Sequence, residues 1–548
     1  MDGLIDILRR HLVGLALITL FIPLFCGLVG AAGLLKAWRT RWFNTGLGIS
    51  TVVASGACLV LSMCLVVANP SKTLTPSIGG IGLLIDPLSL YFILLVNVIA
   101  FAASWNSIGF LEDISFDSRQ QSPAFFHSLV NLFHFTMLLV PLVNNLVVLW
   151  IAIEATTLVS TLLVSFQGKT DSRKAKRDSW EAAWKYLIIT STGIIFALLG
   201  TMFLAYAAKG LIDHSVGADA NRIMNWTFLL ERSGDLTKDF VKLSFLFILV
   251  GYGAKAGLAP MHTWLPDGHG EAPAPISALL SGVLLKCALY AILRFYTITN
   301  AALDSTSFTS SILLGMGLLS LLIATPFILK ENRFKRVLAY HSLEHMGIIT
   351  FGVGVGGPVA LFGALLHTLN HAVTKSLMFL SFGNVMRRYE QATRDRRLEF
   401  DQNKIRGVLQ SMPVTGAILI LGGLALVGTP PFNVFMSEFI ILWGAFDDQQ
   451  AAGASSGPPS AVPRWVIVTA TALFILSTTL IFYGLVRHLS KLVLHEKPVE
   501  RLKEKVLTDL GPLVFLLALV LIFGVYIFPP LSSLISDSVK IVLNNLEQ

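Results

Sequence analysis

The sequence predicts an all-α polytopic membrane protein: about fourteen transmembrane helices, with two inverted five-helix repeats and two broken helices. Three observations predict this class. Apolar residues make up 54% of the 548 and charged residues 14%, with mean hydropathy +0.70; a soluble domain carries about 25% charged residues. Runs of 18 or more largely apolar residues recur along the whole chain. Two of these runs are interrupted by glycine and proline close to charged side chains.

The apolar runs lie near 11–35, 46–68, 83–110, 124–143, 145–166, 180–208, 241–265, 271–296, 309–329, 337–356, 358–385, 413–446, 464–488 and 511–529. The first lacks a cleavage-site pattern and is longer than a signal-peptide core, so it reads as a retained helix. The longest polar connections fall near 209–240, 386–412 and 447–463; the last reads as a flexible Gly/Ser/Pro loop. None has the length or polarity of a soluble catalytic domain.

The seventh run contains GYGAKAGLAP, with Pro260, and the twelfth contains GTPPF, with Pro430 and Pro431. Proline removes a backbone donor and clashes with the preceding turn. Carbonyls freed in this way inside a bilayer must find protein or water. Paired broken helices in two halves of a chain mark an inverted-repeat transporter with its ion path at the breaks. The breaks are five runs apart. The expected division is therefore 1–122 for three N-terminal helices, 123–296 for the first repeat, 309–491 for the second, and 492–548 for a last helix and tail.

Net charge is +8, and its distribution is more informative than its total. Loops following odd-numbered runs hold about 26 Lys and Arg, against about 10 in the termini and the other loops. By the positive-inside rule, the odd-following loops are cytoplasmic and both termini lie outside. The basic loops, such as KTDSRKAKR at 169–177, read as orientation signals and lipid contacts rather than nucleic-acid sites. Cys26, Cys58, Cys64 and Cys287 show no CxxC spacing, and no GxGxxG or P-loop opens a helix. No nucleotide, redox centre or metal is expected on this chain.

The polar residues inside the apolar runs carry the chemistry. They are Glu154, Lys185, Lys255, His262, Lys286, His341, Glu344, His345, His367, His371, Lys375 and Glu438. A charge near the bilayer centre costs roughly 2.5–3.5 kcal/mol on insertion scales, so such residues are retained only where they are used or neutralised. His367, His371 and Lys375 stand at i, i+4 and i+8 and form one stripe on a helix face. Histidine titrates near neutrality, and burial moves lysine and glutamate toward the same range, so the set can relay protons. Bland alternatives exist. Lys185 lies near a run end, where it can snorkel; His262 can serve the helix break alone; Arg294 reads as an interfacial anchor. His367 and His371 have HxxxH spacing, but Thr368, Leu369 and Asn370 between them supply no glutamate base, which argues against zinc.

DPLS at 86–89, IEATTLVS with Glu154, GYGAKAGLAPMHTWLPD, APISALLSG with Lys286, KRVLAYHSLEHMGI and LNHAVTKSLMF occur in that order. In this order they resemble the antiporter-like family shared by complex I, multisubunit sodium/proton antiporters and membrane-bound hydrogenases. The block HTWLPDGHGEAPAPISALLSGVLLKCALYAILRF, with LEHMGI and GTPPFNVFMSEF, is most similar to its hydrogenase-4 component F branch. The resemblance implies a proton-uptake pair in Glu154 and Lys255, a connecting lysine in Lys286, a central polar axis in His367, His371 and Lys375, and an outlet in Glu438. It also implies a bacterial or archaeal inner-membrane location and partner membrane subunits, including other antiporter-like ones. Iron–sulfur clusters and nickel–iron, or flavin and quinone, would sit in partner subunits. Two departures stand out. His341 replaces an expected serine, and Gly268 and Gly270 loosen a loop usually written PDAHSEAP.

The expected function is that of a proton-translocating subunit of a redox-driven complex, most similar to the hydrogenase-4 type. The alternatives are a complex I-type quinone oxidoreductase subunit, a stand-alone cation/proton antiporter, and an energy-coupling subunit for inorganic-carbon uptake. No separate quinone-head motif is present in the sequence.

Overall fold

The computed structural model describes residues 7–33, 41–70, 73–78, 81–112, 122–166, 173–212, 222–395, 404–454, 462–494 and 502–544. Residues 169–172 of the basic stretch and 455–461 of the Gly/Ser/Pro loop lie outside them.

The helices follow the apolar runs. They are α1 (Leu12–Gly33), α2 (Arg41–Ala68), α3 (Pro87–Glu112), α4 (Pro123–Leu142), α5 (Leu146–Val164), α6 (Arg173–Ala207), α7 (Lys238–Ala256) and α8 (Leu265–Glu271). Beyond them lie α9 (Ala274–Leu303), α10 (Ser307–Lys330), α11 (Phe334–Val355), α12 (Gly357–Asp395), α13 (Pro413–Leu426), α14 (Asn433–Ala454), α15 (Arg464–Val493), α16 (Gly511–Val525) and α17 (Pro529–Val542). A two-residue antiparallel pairing, Ser77–Ile78 with Ile81–Gly82, is the sheet found among the described residues.

Ten of the described helices are long and apolar enough to cross a membrane. The other expected spans, at α7, α11, α12 and the α13–α14 pair, are helical but carry Lys255, the His341–His345 group, the His367–Lys375 stripe and Glu438. The helices that fall short on apolarity or continuity thus hold most of the intramembrane titratable residues. At the centre is α9, whose apolar length is wholly buried. Apolar side chains such as Phe25, Ile151, Ile195 and Leu476 are exposed on the outer helices, where a bilayer would cover them.

Both helix breaks are built alike. α7 ends at Gly257, with φ +75°; its N–H reaches Ala254 O, and Leu258 N–H donates to Gly253 O at 2.9 Å. α13 runs out to Gly428, with φ +66°; its N–H reaches Ala425 O, and Thr429 N–H donates to Leu424 O at 3.2 Å. These are Schellman-type endings, in which glycine supplies the left-handed conformation without a Cβ clash. The chain resumes as helix at Leu265 and Asn433. The PDGHGE stretch expected as a loosened loop is instead helix α8; Gly268 packs on the Trp264 ring and Gly270 on the Arg336 stem.

α6 and α7 touch almost backbone to backbone. A Cβ added at Gly251 would lie 2.4 Å from the backbone nitrogen of Ala197. Small residues permit such contacts where lipid offers no hydrophobic drive for helix association.

Arg294 is not the interfacial anchor expected of it. It is 1% exposed, and its Nη2 donates to Asp86 Oδ1 at 2.7 Å. Trp226 and Tyr290 present their rings to the guanidinium, with centroids 4.4 and 4.8 Å from Cζ. The same Asp86 oxygen accepts Ser89 N–H in the first turn of α3, so the pair ties α3 to α9. The sequence hid the pairing because its partners lie 208 residues apart.

Two stability outcomes follow from these contacts. Gly251→Leu should cost roughly 1–3 kcal/mol by overpacking, read as a lower thermal midpoint of the solubilised protein. Arg294→Met should cost roughly 3–5 kcal/mol by stranding a buried carboxylate. Adding Asp86→Asn, which keeps the cap and removes the charge, should restore part of the loss in the same measurement.

Candidate functional site

Glu154 projects from α5 and is partly exposed. Its Oε1 accepts Ser191 Oγ–H at 2.8 Å and its Oε2 accepts Thr157 Oγ1–H at 3.1 Å. Lys255, on the last turn of α7, is fully buried. Its Nζ contacts Thr157 Oγ1 at 2.6 Å and Tyr186 OH at 2.8 Å. Glu154 and Lys255 therefore do not meet directly; the Thr157 hydroxyl stands between them. Tyr186 OH continues to Ser160 Oγ at 2.7 Å. Buried amines need such partners, since an unpaired one carries a large desolvation cost.

Lys286 lies just past a π turn, Leu280–Leu284, within α9. The wider turn leaves Ser281 O free to accept Lys286 Nζ at 2.5 Å. The same Nζ lies 2.7 Å from His371 Nδ1 on α12. Cys287, next to Lys286, is buried with its Sγ 3.9 Å from the Met137 carbonyl oxygen. No side-chain hydrogen bond among the described residues joins Lys255 to Lys286.

Beyond Lys286 the histidines run in sequence across two helices, α11 and α12. His371 stacks on His345 with centroids 4.6 Å apart. His345 Nδ1 lies 3.0 Å from His367 Nε2, and His367 Nδ1 lies 3.0 Å from Ser437 Oγ on α14. One donor atom from each of His345, His367 and Glu438 lies within 4.8 Å of the other two. Glu438 reaches back to the second break, where a Cβ on Gly428 would lie 2.4 Å from Glu438 Oε2. His341 Nδ1 bonds Glu344 Oε2 at 2.6 Å, and Lys375 Nζ donates to Leu338 O. Lys375, His341, His345, His367 and His371 are fully buried.

The sequence-derived set is thus largely gathered into two clusters, one at Glu154–Lys255 and one from Lys286 to Glu438. Lys185 joins neither. Its side chain is 46% exposed and bridges Glu181 at 2.7 Å and Asp267 at 3.2 Å, beside Arg336. His262 lies within the first break, with Nδ1 unpartnered. Pro260 and the Pro430–Pro431 pair occupy the two breaks.

Several participants escaped sequence reasoning. Thr157 was legible as the residue one turn from Glu154. Tyr186, next to Lys185, points inward where the lysine points out. His269, in the quoted PDGHGE stretch, is fully buried with neither ring nitrogen partnered. Ser437, one residue before Glu438, is the link to His367.

Chemically, the arrangement can hold protons on hydroxyl, amine, imidazole and carboxyl groups, some joined by hydrogen bonds and others, such as the stacked His371 and His345, only in ring contact.

Residues 143–457 match the family described as NADH:quinone oxidoreductase/Mrp antiporter, TM. A hydrogenase-4 component F homolog of Methylacidiphilum infernorum is 40% identical over 365 residues, covering 66% of this chain and 72% of the relative. NADH-quinone oxidoreductase subunit N of Desulforudis audaxviator is 30% identical over 480 residues, covering 86% of both. The fold matches a chain of the membrane-bound sulfane sulfur reductase, an archaeal respiratory membrane complex, with TM-score 0.76 and 22% identity over 98% of this chain and 97% of that one.

Proposed function

Because the chain belongs to the NADH:quinone oxidoreductase/Mrp antiporter family of transmembrane proteins, we propose that it translocates protons as one membrane subunit of a redox-driven complex, of hydrogenase-4 type. The observation that carries this reading is the run from Lys286 through His371, His345 and His367 to Glu438, supplied by four different helices. A structural salt bridge needs two such groups; this line has five.

In this reading Glu154 takes up a proton at its partly exposed end. Thr157 passes it to Lys255: its hydroxyl accepts from the protonated carboxyl and donates to the neutral amine, and the hydrogen bonds in the structure are those left after that transfer. Lys255 releases it toward Lys286, with water entering to span that interval. Lys286 hands it to His371; water spans the stacked His371 and His345 rings and the interval from His367 to Glu438, and the His345–His367 hydrogen bond carries the step between. A change in a partner subunit would drive the cycle by altering the Glu154–Lys255 contact. The redox chemistry would stay with partner subunits carrying iron–sulfur clusters and nickel–iron, or flavin and quinone.

The like construction of the two breaks supports two inverted five-helix repeats, 123–296 and 309–491, within fourteen spans. The excess of basic residues in alternate loops supports both termini outside a bacterial or archaeal inner membrane. A complex I-type assembly is the second reading, favoured by the 86% of this chain that the subunit N relative covers.

Lys255→Ala and Glu438→Ala should each abolish proton uptake by the reconstituted complex, followed with a trapped pH dye, while subunit composition on native gels stays unchanged. Undiminished pumping in assembled variants overturns the proposal. Thr157→Val, which keeps shape and removes the shared hydroxyl, should slow pumping roughly 10²-fold; Thr157→Ser should retain most of it.

A further inference from the structure

The polar line converges on a donor set that a proton relay does not itself require. His345 from α11, His367 from α12 and Glu438 from α14 each place one ligand-capable atom within 4.8 Å of the other two. Both histidines are fully buried, and His345 Nε2 has no hydrogen-bond partner. The Glu438 carboxylate lies against the second break, whose residues Pro430 and Pro431 are exposed.

The donor chemistry selects the ion. Two imidazoles and one carboxylate are a ligand set of zinc sites that keep one position open. Sodium, magnesium and calcium prefer oxygen donors throughout. Tetrahedral bonds of about 2.0–2.1 Å place the donors about 3.3 Å apart. Closing from within 4.8 Å asks each side chain to move by about 1 Å. The HxxxH pair on α12 is not the site: the rings of His367 and His371 are stacked with centroids 6.5 Å apart, and His371 Nδ1 is engaged by Lys286. The ligands come from three helices, so no sequence spacing announces them.

We infer that His345, His367 and Glu438 form a binding site for a first-row divalent cation, zinc foremost, and that the bound ion arrests transfer between His367 and Glu438. The arrest, though not the binding, rests on the proton-line reading above. A metal there occupies the lone pairs that a proton must use and adds positive charge to the line. A neighbouring set, His341, Glu344 and His345, also has its donors within 4.8 Å. Each set already contains one hydrogen-bonded pair, His341–Glu344 at 2.6 Å and His345–His367 at 3.0 Å; what sets them apart is the carboxylate, since Glu344 is 3% exposed and held by a histidine while Glu438 is partly exposed.

The test uses the full-length chain in lipid nanodiscs, with Co²⁺ as the probe. The expected result is one Co²⁺ per chain, with the intense visible bands of tetrahedral coordination, displaced by Zn²⁺. His367→Asn and Glu438→Gln should weaken binding more than about tenfold, the least expected when even an outer-shell partner is lost. Glu344→Gln and Lys255→Ala should leave it unchanged. His367→Cys should retain the ion and add a sulfur-to-cobalt charge-transfer band, a gain that misfolding cannot produce. Absence of stoichiometric binding, or equal affinity in the His367→Asn and Glu438→Gln variants, overturns the site. In the assembled complex Zn²⁺ should halt proton uptake and a chelator should restore it; unimpeded uptake with the site filled overturns the arrest. If Lys255→Ala still pumps while cobalt binds as expected, the proton reading fails and the metal site stands.

Discussion

The structure depends on one constraint: a lysine or arginine withdrawn from water must be met by a polar group from another helix. Lys286 illustrates it. Its amine is satisfied by a carbonyl that a π turn has released in its own helix and by an imidazole from α12. Neither partner suffices alone, and each requires its helix to hold a fixed register against the other. The same condition recurs at Lys255, at Asp86 with Arg294, and at Lys375 with the Leu338 carbonyl. Polar matching, more than apolar burial, therefore specifies how these helices are arranged. A bilayer offers little preference between one leucine-covered face and another.

The interruptions in the helices belong to the same economy. At both breaks a left-handed glycine closes the preceding helix and satisfies its terminal carbonyls. The chain then crosses a few residues of irregular backbone before helix resumes. Lys255 lies just before one such ending, and Glu438 reaches back onto the other. The break gives a charged side chain polar backbone nearby, in a region where irregular backbone is tolerated only when enclosed by protein or facing a cavity.

Much of this was legible in the chain. Helix positions followed apolar runs, and the breaks followed Gly and Pro. The costly residues announced themselves because a lysine in GYGAKAGLAP has no bland explanation. What stayed hidden was orientation and long-range pairing. Lys185 and Tyr186 are adjacent, yet the charged residue faces an outer ion cluster while the tyrosine touches Lys255. Charge alone suggested the former; which face of α6 turns inward depends on its close contact with α7. Arg294 and Asp86 lie too far apart in sequence for any local pattern to join them. The hydroxyls of Thr157 and Ser437 were overlooked because serine and threonine are ordinary in membrane helices, where most bond their own preceding turn.

The contact of Gly251 with Ala197 has a mechanical consequence. Two helices that touch through their backbones have no cushion of side chains to deform, so they slide or turn only as one stiff body. Lys255 is four residues beyond Gly251 on α7, and Tyr186 is carried by α6. Amine and phenol are thus mounted on a common chassis, and their spacing is insulated from strains that pass through the rest of the bundle. Glu154 is mounted on α5, outside that chassis. Thr157 rides on the same helix, so any displacement of α5 is taken up where its side chains meet the other two helices, at Glu154–Ser191 and Thr157–Lys255.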